Sequence, residues 1–174
     1  IRALILTPTR ELALQIGDEL RGLLTYYQNI RVAVLYGGAG IGGQIKALEK
    51  KPQIVVATPG RLMDHYNRKT IRLDKILTVV LDEADRMLDM GFFKDVTRII
   101  EKVKNRKNLG LFSATISQEV MTVYKNMLLD ENSVINTRHC SFLNLWNWNF
   151  KNKTFETTEA GAESANYPFC TIEP

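Results

Sequence analysis

Five short apolar runs constrain this chain more than any other feature. They lie at Ala3–Leu6, Arg31–Tyr36, Gln53–Ala57, Leu77–Leu81 and Leu109–Phe112. Runs this short and this uniformly apolar predict strands buried on both faces. Helical periodicity fills the gaps between them. Leu12, Ile16, Leu20 and Leu23 fall on one face of a helix, as do Val96, Ile99, Ile100 and Val103. Val120, Tyr124, Met127 and Leu128 repeat the pattern. Thr9 and Ser117 stand at N-cap positions, with Glu11 and Glu119 in the first turns. Strand–helix alternation of this kind predicts an α/β domain, with a parallel sheet flanked by helices on both faces. Ligands of such sheets collect at the carboxyl ends of the strands.

Composition narrows the class. The chain has 174 residues, 45% hydrophobic and 24% charged, enough for one domain with a tail. No apolar run approaches the ~18 residues of a membrane span, so no membrane partner is expected. Two cysteines, Cys140 and Cys170, exclude a disulfide framework and a four-cysteine zinc site. A reducing compartment is expected: the cytoplasm, or the nucleus in a eukaryote. The net charge of +4 is compatible with nucleic acid but does not require it. Residues 1–137 read as one domain. Residues 138–174 read as a divergent aromatic and polar tail. There Trp146, Trp148 and Phe150 alternate with polar residues as a short strand would, and Thr154 to Ala165 reads as loop or disorder.

The strand ends carry the chemistry. The fourth strand runs into Asp82-Glu83-Ala84-Asp85. An apolar strand ending in adjacent carboxylates is a Walker B arrangement: Asp82 is placed to hold magnesium through its waters, and Glu83 to orient an attacking water. The competing reading is an acidic helix start capped by Asp85. The first strand ends in Thr7-Pro8-Thr9-Arg10-Glu11-Leu12-Ala13, where free helix N–H groups and Arg10 suit a phosphate. Thr58-Pro59-Gly60-Arg61 ends the third strand and is a second phosphate candidate. Both are also ordinary helix starts. Ser113-Ala114-Thr115 ends the fifth strand, with two hydroxyls in reach of the neighbouring carboxylates.

The second strand ends in Gly37-Gly38-Ala39-Gly40-Ile41-Gly42-Gly43, which contains G-x-G-x-x-G. A dinucleotide turn would need an acid at the end of the next strand. Ala57 and Thr58 stand there, and Asp64 lies well beyond. Close approach of a polymer backbone is the better functional reading, and a plain flexible turn the bland one.

In this order, the motifs resemble those of the DEAD-box RNA helicase family. Pro8 to Ala13 is similar to motif Ia, Gly37-Gly38 to the GG doublet, and Thr58 to Arg61 to motif Ib. Asp82 to Asp85 is similar to the motif that names the family, and Ser113 to Thr115 to motif III. The resemblance covers roughly residues 1–130. It implies a RecA-like first domain of an ATP-dependent RNA helicase that remodels RNA duplexes locally. It implies ATP and Mg2+ as cofactors, with Asp82 and Glu83 at the nucleotide and Asp82 on the metal. Asp85, Ser113 and Thr115 would link hydrolysis to strand separation. Single-stranded RNA would be held by its backbone through Pro8, Thr9, Arg10, Gly37, Gly38, Thr58, Pro59, Gly60 and Arg61. A second RecA-like domain would be the partner, reached through one more short strand, for which Val134-Ile135-Asn136 is the candidate, and a linker.

The sequence holds no G-x-x-x-x-G-K-[ST], so the phosphate loop of the family is not among these residues. The opening Ile1-Arg2-Ala3-Leu4 reads as a strand cut at its start. The expectation is therefore an incomplete RecA-like domain with the P-loop strand missing, a gap in its sheet and compromised folding. Such a chain would be inactive as an ATPase, leaving an ATP-independent RNA clamp or an inert fragment as the alternatives.

Overall fold

The computed structural model describes residues 1–123, apart from 28, 116 and 121, and two strands at 146–149 and 154–157. The elements follow in the order β1 (Ala3–Leu6), α1 (Arg10–Leu23), β2 (Val32–Leu35), α2 (Ile41–Glu49), β3 (Ile54–Ala57) and α3 (Pro59–Asn67). Then come β4 (Thr78–Leu81), α4 (Ala84–Asp89), α5 (Phe93–Lys102) and β5 (Asn108–Leu111). Residues 118–120 and 122–123 are again helical, with the Ser117 hydroxyl accepting the Val120 N–H as a cap. The rest of that apolar pattern, and Val134 to Asn136, lie outside the described residues.

The first five strands form one parallel sheet in the order β2-β3-β1-β4-β5. Each crossover carries a helix, as parallel neighbours require. The expected gap is not there: β1 lies in the middle, hydrogen-bonded on both sides, and the ladder is continuous from β2 to β5. The apolar runs predicted all five strands, with shifted ends. Arg31, Tyr36, Gln53 and Leu77 fall outside, and the last strand moves back one residue to Asn108–Leu111.

The two faces are covered unequally. Leu4, Leu6, Leu35, Val55, Val79 and Leu81 point into the larger core, under α2, α3, α4 and α5. Val34 and Val56 point the other way, and with Ala13 of α1 they form a small second core. Gly17 lets α1 approach this closely: a methyl group there would overlap Val34 Cγ2. β2 and β3 thus read as continuous apolar runs because both of their faces are packed, whereas β1, β4 and β5 alternate buried residues with more accessible ones.

Register aligns the strand tips. Leu6 lies level with Ala57 and Leu81, Ala57 with Leu35, and Leu81 with Leu111. The ladder continues one residue further. Thr7, Thr58, Asp82 and Phe112 donate their N–H to Ala57, Leu35, Leu6 and Leu81 at 2.8–3.0 Å. The motifs therefore share one rigid edge.

In the tail, β6 (Trp146–Asn149) pairs antiparallel with β7 (Thr154–Thr157), Trp148 opposite Phe155. The predicted strand at 146 is present. The loop expected from Thr154 is corrected for its first four residues. Thr and Phe suit a strand, and pairing with β6 supplies the hydrogen bonds that periodicity alone could not reveal. The remainder, through Ala165, lies outside the described residues.

Candidate functional site

The acidic corner is built where β4 enters α4. Asp82 sits half-buried at the strand tip, and its carboxylate accepts the Glu83 N–H at 3.1 Å. Burial pushes the Asp82 carboxyl above the usual range, the Glu83 N–H opposes this, and the Glu83 charge adds to the rise. Glu83 turns the chain with φ 48° and ψ 53°, a left-handed conformation costly for a residue with a side chain. Its carboxylate meets the Arg86 guanidinium at 3.0 Å. Glu83 thus occupies the N-cap position without a side-chain cap bond, and Asp85 lies inside the first turn. The competing reading, an acidic helix start capped by Asp85, does not hold.

Asp85 faces β5 instead. Its Oδ2 accepts both the N–H and the hydroxyl of Thr115 at 2.8 Å, and its Oδ1 accepts the Arg86 N–H at 2.9 Å. Burial would raise the Asp85 carboxyl, but the Thr115 and Arg86 bonds outweigh it and hold the carboxyl below the usual range. The Ser113 hydroxyl accepts the Asp85 N–H at 3.0 Å and donates to the Thr115 carbonyl at 2.8 Å. Of the two hydroxyls predicted to reach a neighbouring carboxylate, Thr115 donates to one. Ser113 grips the backbone on both sides.

The basic half of the edge joins β1, β2 and β3. Thr9 caps α1, its hydroxyl accepting the Leu12 N–H at 3.3 Å. Arg10 is exposed, with its guanidinium 4.9 Å from the centroid of the Tyr36 ring. Gly38 has φ 79°, and a Cβ there would lie 4.0 Å from Arg10 Nη1, so motif Ia and the GG doublet are spatial neighbours. Arg61 reaches across from α3 and gives two N–H groups to the Ala39 carbonyl at 3.0 and 3.1 Å. Pro8, Thr58 and Pro59 are buried, and Thr58 starts α3 without a side-chain cap bond. Arg10, Gly37, Gly38 and Gly60 form the exposed surface, and Thr9 and Arg61 are half-buried. The G-x-G-x-x-G reading fails on geometry. Asp64 lies within α3 and pairs with Arg68 at 2.7 Å, leaving no acid at the tip of β3.

Sequence reasoning missed the groups beneath this surface. Gln44 Nε2 donates to the Tyr36 carbonyl at 3.0 Å, and Gln44 Oε1 lies 3.2 Å from His65 Nε2. Thr70 Oγ1 lies 2.8 Å from His65 Nδ1. Both Gln44 and His65 are buried. Polar residues inside otherwise apolar helix faces were the available signal.

No group of three or more metal-ligating side chains occurs among the described residues. Magnesium held mainly by water and phosphate oxygens takes only one or two carboxylates from a protein. Asp82 fits such a role. Among the described residues, no helix is long and apolar enough to cross a membrane.

This fold and edge define a RecA-like helicase domain. The chain belongs to the DEAD/DEAH box helicase family, whose model matches residues 1–123. It is 49% identical over 123 residues to the ATP-dependent RNA helicase CshA of Listeria monocytogenes, covering 71% of this chain and 24% of that one. It is 48% identical over 130 residues to the probable ATP-dependent RNA helicase MJ0669 of Methanocaldococcus jannaschii, covering 75% and 35%. The chain thus spans about a quarter to a third of the length of these relatives. Among solved structures, it resembles a hypothetical ATP-dependent RNA helicase from Sulfolobus tokodaii, with a TM-score of 0.71 and 40% identity. That match covers 78% of this chain and 40% of the other.

Proposed function

We propose that this chain serves an ATP-dependent RNA helicase as the part that grips RNA and carries the carboxylates of the ATP site. One observation carries the reading: the acidic corner and the basic, glycine-rich surface share one continuous sheet edge, stitched strand to strand. Asp82 would hold Mg2+ through water, and Glu83 would orient the attacking water once freed from Arg86. Bound MgATP would supply the phosphoryl group and the charge that the metal neutralises. The Asp85–Ser113–Thr115 linkage ties the strand bearing these acids to its neighbour, a route by which nucleotide occupancy reaches the rest of the edge. Arg10, Gly37, Gly38 and Gly60 present charge and open backbone to a single RNA strand. They touch sugar and phosphate and read no base. A second RecA-like domain completes the site, and the cytoplasm is the proposed compartment.

The chain by itself is proposed to be an ATP-independent clamp. Its 174 residues contain no G-x-x-x-x-G-K-[ST], and phosphoryl transfer rests on such charge-stabilising parts. The test is fluorescence anisotropy with a short single-stranded RNA across a salt series. Affinity should fall with salt as expected for a few phosphate contacts, and Arg10→Ala should weaken it further. No binding at low salt would overturn the clamp. RNA-stimulated phosphate release that Glu83→Gln abolishes would overturn the inactivity of the chain.

A further inference from the structure

The loop from Gly37 to Gly40 has no regular structure of its own, yet two side chains hold it from beneath. Arg61 fixes its middle through the Ala39 carbonyl. Gln44 fixes its entry through the Tyr36 carbonyl at 3.0 Å. Gln44 is not independent. An amide that donates through Nε2 must present Oε1 on its other side, and that oxygen faces His65 Nε2 at 3.2 Å. His65 is fully buried in α3, and Thr70 Oγ1 lies 2.8 Å from its Nδ1. The Thr70 hydroxyl also lies 3.0 Å from the His65 carbonyl, and its single proton serves only one of the two acceptors. With the Gln44 amide oxygen facing Nε2, the proton of a neutral imidazole belongs on Nε2, and the Thr70 proton then goes to Nδ1 rather than to the carbonyl. The amide of Gln44 is then locked with its nitrogen toward the loop.

We propose that the buried Gln44–His65 pair is a positioning device for the Gly37–Gly40 loop, setting the backbone surface that an RNA strand meets. Neither residue touches that strand. His65 fixes Gln44, Gln44 fixes Tyr36, and Tyr36 both begins the loop and supports the Arg10 guanidinium with its ring. The chain of contacts joins α3, which carries Arg61, to α2 and the end of β2, so the loop and Arg61 keep a fixed relation. This inference rests on the RNA-gripping reading. Without His65, Oε1 of Gln44 would be a buried acceptor with no donor, and the amide would be free to turn away from Tyr36.

The test uses the whole chain and the same fluorescent RNA. His65→Leu removes the donor and keeps an apolar filler. His65→Gln keeps an N–H donor at nearly the same reach. Losing one buried hydrogen bond of ordinary strength corresponds to an affinity loss of about threefold to tenfold. His65→Leu and Gln44→Leu should each weaken RNA binding by that factor, and the double variant no more than the worse single one. His65→Gln should restore most of the loss. Amide signals of Gly37, Gly38 and Gly40 in NMR spectra without RNA should shift in His65→Leu and return toward the parent in His65→Gln. A parent chain that binds no RNA would remove the gripping reading and this inference with it. A parent that binds, with a His65→Leu variant that melts normally and binds equally well, would overturn the positioning role alone. Additive losses in the double variant, or failure of His65→Gln to restore binding in a folded protein, would also overturn it.

Discussion

Asp85 and Thr115 stand thirty residues apart in the chain, yet the Thr115 hydroxyl and N–H both rest on one carboxylate oxygen of Asp85 at 2.8 Å. This double contact joins the first turn of α4 to the segment after β5. It makes the acidic corner a shared property of two strands.

Asp85→Asn should therefore destabilise the protein. The amide oxygen can keep both Thr115 donors, which share one oxygen, but without the negative charge, and the NH2 group then faces the Arg86 N–H and cannot accept it. A loss of about 1–2 kcal/mol is expected from hydrogen bonds of this kind. Thr115→Val removes the hydroxyl only and should cost less, about 1 kcal/mol. Urea unfolding of both variants checks this, and equal stability of Thr115→Val and the parent would refute the linkage.

Asp82→Asn should do the opposite. The Asp82 carboxyl is pushed up chiefly by burial, so its ionised form is a cost in the folded state at neutral pH. A neutral amide of the same shape should stabilise the chain by less than about 1 kcal/mol, since Asp82 is only half-buried and solvent screens its charge. The sign also fixes the pH response. An acid whose folded pKa is raised becomes less of a burden as pH falls through that value, whereas Asp85, held low, loses its contribution as pH falls below the usual carboxylate range. Melting curves of Asp82→Asn and Asp85→Asn from pH 3 to 7 should diverge from the parent in opposite directions.

Burial, helped by the charge of Arg61, lowers the pKa of His65. A histidine lowered in the folded state favours folding above its unfolded pKa and loses that contribution as pH falls. The parent should therefore lose stability from about pH 6.5 downward, as the unfolded histidine takes up a proton first. His65→Gln should flatten that part of the profile. An unchanged slope in the variant would show that His65 does not carry the effect.

Gly17 tests the thin second core. A methyl at this position would overlap Val34 Cγ2, and both partners belong to packed elements, α1 and β2. Gly17→Ala should cost about 1–3 kcal/mol, the range for overpacked cores. Adding Val34→Ala should recover part of that loss. Additive destabilisation in the double variant would argue against the contact.

Much of this fold lies openly in the chain. The five apolar runs become five strands because the larger core buries one face of each, and Thr9 and Ser117 become caps because capping is a local matter. The motifs at the strand ends were legible for the same reason: a motif is local, and register then carries all of them to one edge. Apart from the approach of Ser113 and Thr115 to the acids, contacts between distant residues were not legible. Arg61 reads as a phosphate ligand in a linear motif, and only the fold shows that two of its N–H groups also hold Ala39. Gln44 and His65 read as unremarkable helical residues until α2 and α3 bring them together. Thr154–Thr157 reads as loop because its strand exists only opposite β6.

The sequence by itself determined the class of fold, the order of its elements and the residues placed at each strand tip, since these follow from periodicity and spacing along one dimension. Tertiary structure alone decided which hydroxyl meets which carboxylate, why neighbouring acids shift in opposite directions, and what holds the glycine loop. Those properties depend on distance and burial, which parallel register sets between residues that the chain keeps far apart.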